Sequence, residues 1–423
     1  MGYETRGWKF FLFCTILFLK SNVSLAGEER QDSLLGYGED SLALHRFIHR
    51  LGGEVRPEYI FPTNPFLKGQ NERWTPIRNS FSAHLKYSFQ FRPNTYAGRI
   101  YGNAYQGLGL AYYTFGDRKQ LGDPIAIYLF QGARIASLAP RLTLNYEWNF
   151  GLSAGWKPYD NVYNSYNGAV GSRLNAYINA GLYLNWALSR HFDLTVGGNL
   201  THFSNGNTKF PNAGINTTGL NIGLVYNFNR EENDLYKSSY RPSIVKFPRH
   251  ISYDLVVFGS WRRKGVFIGE KQIASPGIYP VFGFNFAPMY NVGYKFRFGV
   301  SLDGVYDGSA NVYAQEGITP LDGSSGNSYG FYAPGIRKQL ALGLSGRAEF
   351  VMPYFTIGIG LGENIIHGGG DLKGFYQVLA LKVKVTRDTF LHIGYNLQNF
   401  KTPNYLMLGL GFRFHNKYPK VRH

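Results

Sequence analysis

Apolar and polar residues alternate at period two along much of this chain. From Phe81 to Phe91, the residues Phe81, Ala83, Leu85, Tyr87, Phe89 and Phe91 share one face, and Ser82, His84, Lys86, Ser88 and Gln90 share the other. From Leu142 to Leu152 the pattern returns, with Leu142, Leu144, Tyr146, Trp148, Phe150 and Leu152 opposed to Thr143, Asn145, Glu147 and Asn149. Successive side chains of a strand point to opposite sides, so each run predicts a strand with one apolar face. About sixteen strands are predicted, near 52–63, 80–91, 103–116, 125–138, 140–156, 170–187, 190–203, 214–229, 250–262, 278–290, 293–306, 336–350, 353–363, 373–386, 389–399 and 404–415. Their connections alternate in length. Those at 137–140, 189–191, 352–353 and 386–389 are short, whereas 64–79, 157–169, 263–277 and 307–335 are long and polar. Short turns alternating with long loops, and an even strand count, predict an all-β fold: a transmembrane antiparallel β-barrel with its short turns in the periplasm.

The pattern also divides in two. The stretch Ser189 to Phe203 resembles Thr386 to Phe400, and each is followed by a Pro-Asn pair, 211–212 and 403–404, and a final strand. The charged, Pro-containing segment 230–249 lies between the halves. The expected organisation is a signal peptide over 1–26, a first barrel half over 27–229, a periplasmic linker over 230–249 and a degenerate second half over 250–423. Alternation leaves open whether the strands close as one large barrel or as two eight-stranded ones. The last strand ends Leu410-Gly-Phe-Arg-Phe414, which resembles the aromatic-ended signal read by barrel-assembly machinery.

Composition sharpens the compartment. Arg6 and Lys9 precede the apolar stretch Phe10 to Leu19, and Ser24-Leu25-Ala26 is a small-x-small site, the arrangement of a cleavable signal peptide. The only cysteine, Cys14, lies in that stretch, so cleavage removes thiol and disulfide chemistry from the mature chain. Abundant Tyr (32), Phe (33) and Gly (52) suit a barrel whose aromatics belt both interfaces. The formal charge is +17, and loss of Arg6, Lys9 and Lys20 against Glu4 leaves +15. A basic protein attracts anions. At the cell outer membrane the abundant anion is lipopolysaccharide phosphate, and no basic helix or RNA-binding motif points to nucleic acid instead.

Candidate chemistry concentrates in Thr201-His-Phe-Ser-Asn-Gly-Asn-Thr-Lys-Phe-Pro-Asn-Ala-Gly-Ile-Asn216. His202 and Ser204 are two apart on a strand and share the face of Leu194, Val196 and Leu200; Asn216 shares the face of Leu220, Ile222 and Leu224. Three polar groups on the apolar side are costly deep in hydrocarbon, whereas at the outer interface they meet acyl esters. Serine is a weak nucleophile until an adjacent imidazole accepts its proton. Turn residues at a loop mouth are the bland alternative.

His-Phe-Ser-Asn, then Pro-Asn-x-Gly and a final strand, resembles the lipid A 3-O-deacylase (PagL) and acyloxyacyl hydrolase family of outer-membrane β-barrels. The resemblance covers about 50–229, its specific motif 202–216. It implies an eight-stranded barrel with a lipid-facing active site that hydrolyses an ester-linked acyl chain of lipid A without a cofactor. It also implies His202 as general base, Ser204 as nucleophile and Asn205 as oxyanion stabiliser. The family's acid falls on Asn216, a departure: an amide oxygen can fix the histidine tautomer but supplies no negative charge. Asp160, in the loop before the adjacent strand, is a possible substitute. The second half has Asn399 and Lys401 where His202 and Ser204 stand, and is expected to be catalytically dead. Gly151-Leu-Ser-Ala-Gly155 and His367-Gly-Gly-Gly370 imitate hydrolase motifs, but Ser153 falls inside an alternating strand and His367 in a loop. The expectation is thus an outer-membrane serine esterase; the rival is a non-enzymatic barrel, a porin or surface scaffold derived from such an enzyme.

Overall fold

The computed structural model describes residues 47–235, 244–268, 271–316, 329–400 and 402–419. The expected signal peptide and Lys401 lie outside the described residues. In the first unit, strands β1 (Phe47–Ile60), β2 (Asn79–Phe91), β3 (Tyr105–Thr114), β4 (Gly122–Ala139), β5 (Leu142–Trp156), β6 (Leu174–Ala187), β7 (Phe192–Ser204) and β8 (Ile215–Asn227) follow one another around a closed barrel. Each pairs antiparallel with the next, and β1 closes on β8 through pairs such as Leu51 with Tyr226 and Val55 with Ile222.

The second unit is also a closed barrel. It opens with β9 (His250–Arg262), followed by a small hairpin of β10 (Gly265–Ile268) and β11 (Lys271–Ala274). Next come β12 (Tyr279–Asn291) and β13 (Phe296–Asp307), then a second hairpin of β14 (Tyr313–Glu316) and β15 (Tyr329–Tyr332). β16 (Leu340–Val351), β17 (Phe355–His367), β18 (Phe375–Lys384), β19 (Thr389–Gln398) and β20 (Thr402–Phe414) complete the wall, with β20 closing on β9. The choice between one barrel and two is therefore resolved as two of eight strands.

Three local features differ from the sequence expectation. β1 begins at Phe47 rather than near 52, because its charged residues Arg50, Glu54, Arg56 and Glu58 are buried on the interior face while Leu51, Val55 and Tyr59 point outward. The turn after β2 holds a short helix, α1 (Tyr96–Tyr101), too short to show a 3.6-residue period. Thr95 caps it by accepting from Gly98 N at 3.0 Å. The long loops after β9 and β13 carry the two small hairpins, whose four-residue strands are hidden among polar residues.

The interior of each barrel is filled. In the first, Lys86 Nζ lies 3.3 Å from Glu54 and 2.5 Å from Glu147, Arg56 Nε lies 2.5 Å from Glu54, and Tyr105 donates to Glu147 at 2.9 Å. Buried ions persist only when paired and hydrogen-bonded. Tyr113, Tyr128, Tyr177, Phe115, Trp156 and Phe203 are among the aromatic residues of the core. In the second barrel the fully buried Arg297 bridges Asp254 and Glu349, and Lys382 contacts the same two carboxylates at 2.8 and 2.6 Å. Outward leucines such as Leu85, Leu182, Leu220 and Leu410 are exposed on the barrel walls, as a lipid-facing surface requires. No described helix is long and apolar enough to cross a membrane.

Candidate active site

Phe203 sets the geometry of the site. It points into the first barrel, where its ring lies 5.0 Å from that of Tyr113, 5.1 Å from Trp156 and 5.5 Å from Tyr177. With Phe203 and Thr201 buried inward, strand alternation turns His202 and Ser204 outward. Below them on the same face Leu200 is 60% exposed, and on β8 Leu220 is 62% exposed. His202, Ser204 and Asn216 are themselves half-buried. The three expected polar residues therefore stand on the apolar wall at the loop end of the β7–β8 hairpin.

Register brings two of them together. His202 and Asn216 are direct cross-strand partners, and His202 Nδ1 is 2.7 Å from Asn216 Oδ1. An amide oxygen only accepts, so Nδ1 carries the proton and Nε2 keeps its lone pair. Ser204 lies two residues further along β7, opposite the small Ala176 of β6, while His202 faces Ile178. Asn205 is buried, and its backbone N–H donates to Asn212 Oδ1 at 3.0 Å. Any donor it offers a substrate is therefore its side-chain amide.

Gly214 is a part of the site to which the sequence reading gave no role. Its φ is +72°, in the left-handed region that favours glycine. A Cβ there would stand 2.9 Å from the Phe203 carbonyl oxygen and 3.2 Å from His202 Cε1. Its N–H donates to Ala169 O at 3.0 Å, which fastens it to the loop between β5 and β6. The signal for it was present as the glycine of Pro-Asn-x-Gly.

Asp160 is placed differently from the acid it was considered to replace. Its Oδ1 accepts from the backbone N–H groups of Val162 and Tyr163, each at 2.9 Å. These bonds, Tyr163 first, hold its carboxyl below the usual range. Among the described residues no hydrogen bond joins Asp160 to His202. Ser153 is buried mid-strand, donates to Asn175 O at 3.2 Å and accepts from Trp156 Nε1 at 2.9 Å, so it is no nucleophile elbow. His367 ends β17 and accepts from Gly369 N at 3.0 Å.

In the second barrel, β19 stops at Gln398, and Asn399 and Phe400 adopt φ of 50° and 59°. The position aligned with His202 thus leaves the strand, whereas His202 lies within β7.

The lipid A 3-O-deacylase (PagL) family model matches residues 111–225, and the acyloxyacyl hydrolase C-terminal domain model matches residues 251–416. Among solved structures, the outer membrane enzyme PagL aligns at 17% identity and a TM-score of 0.27, covering 41% of this chain and 97% of that one. Neisserial surface protein A aligns at 9% identity and a TM-score of 0.27, covering 43% and 97%. Acinetobacter baumannii outer membrane protein Omp33 aligns at 10% identity and a TM-score of 0.16, covering 87% and 98%. No curated protein sequence gives a significant match.

Closed barrels with apolar outer walls, and family matches on both, define an outer-membrane β-barrel of the carboxylic-ester hydrolase class. The chain is thus similar to the lipid A 3-O-deacylase (PagL) and acyloxyacyl hydrolase family, whose two models each match less than half of it and together span about two thirds.

Proposed function

We propose that the first barrel is a serine esterase that removes an ester-linked acyl chain from lipid A or a related glycolipid of the outer leaflet. The observation that carries this reading is the 2.7 Å contact of His202 with Asn216 on the lipid face, with Ser204 on the same face of the same strand. Ser204 Oγ attacks the ester carbonyl as its proton passes to His202 Nε2. The side-chain amide of Asn205 donates to the oxyanion. Collapse expels the sugar oxygen, which takes the proton from His202, and water then hydrolyses the acyl-serine by the same route. Asn216 holds the tautomer throughout and lends no charge to the imidazolium, so turnover is expected below that of a carboxylate-bearing site.

Mass spectrometry of lipid A from cells with and without the protein tests the reading. Loss of one ester-linked acyl chain only in cells making the protein supports it; identical lipid A in both sinks it. Asn216 also motivates the rival, a non-hydrolytic barrel derived from an esterase. Its porin form is disfavoured by the filled interiors, where Arg56, Lys86 and Arg297 are held in buried ion clusters.

A further inference from the structure

The loops at the open end of the first barrel display large aromatic rings to solvent. Trp74, between β1 and β2, is 71% exposed, and Tyr163, between β5 and β6, is 85% exposed. Tyr166 completes the group, its ring edge-on to Trp74 with centroids 6.3 Å apart. Exposed rings on a floppy loop would be unremarked, but these loops are fixed. Asn71 binds Phe66 O and Thr75 O through its amide nitrogen and accepts from Arg73 N through its oxygen. Asn164 and Asn167 both donate to Gln120 O, at 3.0 and 2.9 Å, and Gln120 Oε1 accepts from Glu72 N at 3.1 Å. Gln120, in the loop between β3 and β4, thus ties the β1–β2 and β5–β6 loops to its own.

Trp74 also sits at φ 52°, a left-handed conformation unfavourable for a bulky residue. Such a conformation persists where the surroundings over-determine it, and these positions cluster at ligand clamps. The Asn71 turn holds that backbone, with Trp74 N donating to Asn71 O at 3.1 Å, and leaves the indole exposed. All three residues lie in loops beyond the strand ends.

The platform is continuous with the esterase site. Gly168 N donates to Tyr166 O, Ala213 N to Gly168 O, and Gly214 N to Ala169 O, and Gly214 borders His202 and Ser204. Lys157 and Arg173, at the two ends of the same loop, are exposed cations. We infer that Trp74, Tyr163 and Tyr166 form a carbohydrate-binding platform that takes a sugar ring of an outer-leaflet glycolipid, with Lys157 and Arg173 placed for its phosphates. Flat apolar ring faces with a polar edge suit the C–H faces of a sugar, and rings carried on a fixed loop backbone lose less freedom on binding than rings on a mobile one. The inference rests on the esterase reading for the kind of ligand, though not for the platform's geometry.

The test uses full-length Ser204→Ala protein in phosphatidylethanolamine vesicles, so that bound glycolipid is not consumed. Binding of two probes, lipid A and core-bearing rough lipopolysaccharide, is compared before and after adding Trp74→Ala with Tyr163→Ala. A loss of about tenfold is expected from two stacking contacts, with Tyr163→Phe retaining binding because the ring remains. Weakening of both probes assigns the sugar to the lipid A disaccharide; weakening of rough lipopolysaccharide alone assigns it to the core. Unchanged binding of both, or an equal loss towards phosphatidylglycerol vesicles, overturns the platform. Heat-modifiability checks that each variant is folded. The parent reading fails separately: wild-type protein that hydrolyses no lipid A ester while binding depends on Trp74 and Tyr163 removes the esterase and leaves the platform.

Discussion

The β7–β8 and β19–β20 hairpins share a sequence pattern and end differently. β7 stays extended through His202 and Ser204, with Phe203 anchored among Tyr113, Trp156 and Tyr177, so two polar side chains emerge on the lipid face. β19 stops at Gln398, and the aligned Asn399 and Phe400 turn left-handed, leaving Phe400 72% exposed. On the proposed reading the two barrels share a scaffold, and the chemistry is confined to the first.

The comparison breaks first at Ser204 and His202. Ser204→Ala and His202→Ala should each lower lipid A deacylation on the order of a thousandfold, and the double variant should lose little more, because nucleophile and base act as a unit. Mass spectrometry of lipid A reads the loss, and heat-modifiability shows that the barrel still assembles. A folded Ser204→Ala protein with undiminished deacylation would falsify the mechanism.

Stability offers the next contrast. Asp254→Asn removes a charge shared by Arg297, Lys382 and Arg413 in the second barrel and should cost about 3–5 kcal/mol there. Urea titration in vesicles measures it. Deacylation per folded molecule should not change, and a matching fall in activity would show that the second barrel takes part in the reaction.

Gly214→Val should cost about a hundredfold, since the branched side chain meets Phe203 O and His202 Cε1 and displaces the base. Wild-type rates in that variant would mean that Gly214 does not border the reacting groups. At Asn216 two substitutions should diverge. Asn216→Leu abolishes the tautomer-fixing bond and should lower the rate at least tenfold, whereas Asn216→Asp adds charge opposite the imidazolium and should preserve or raise it. Equal losses in both would deny Asn216 any role in orienting His202. The smallest effect is expected at Asn399→Ala, which should leave deacylation unchanged; a loss with folding intact would move the site to the second barrel.

Much of this was legible because a strand's period is two. The alternation from Phe81 to Phe91 and from Leu142 to Leu152 located wall strands within a few residues, and the same parity put His202, Ser204 and Asn216 on the lipid face. What escaped had no period to betray it. α1 is six residues long. The start of β1 was obscured by Arg50, which alternation files as polar whether it faces solvent or a buried carboxylate. Closure as two barrels depends on β8 meeting β1 and β20 meeting β9, pairings between distant residues that strand patterning does not encode. Gly214 and Asn167 act through backbone carbonyls, and their roles need three dimensions to be seen.

The placement of the proposed nucleophile on the outside of the wall changes what concentration means for this enzyme. On that proposal its substrate would arrive sideways, by diffusion within one leaflet, and the released fatty acid would enter the same sheet without passing through water. Rate should therefore follow the mole fraction of glycolipid among its neighbours rather than the amount per litre. Spreading the same glycolipid through more inert lipid would slow the reaction, while diluting the whole suspension with buffer would not.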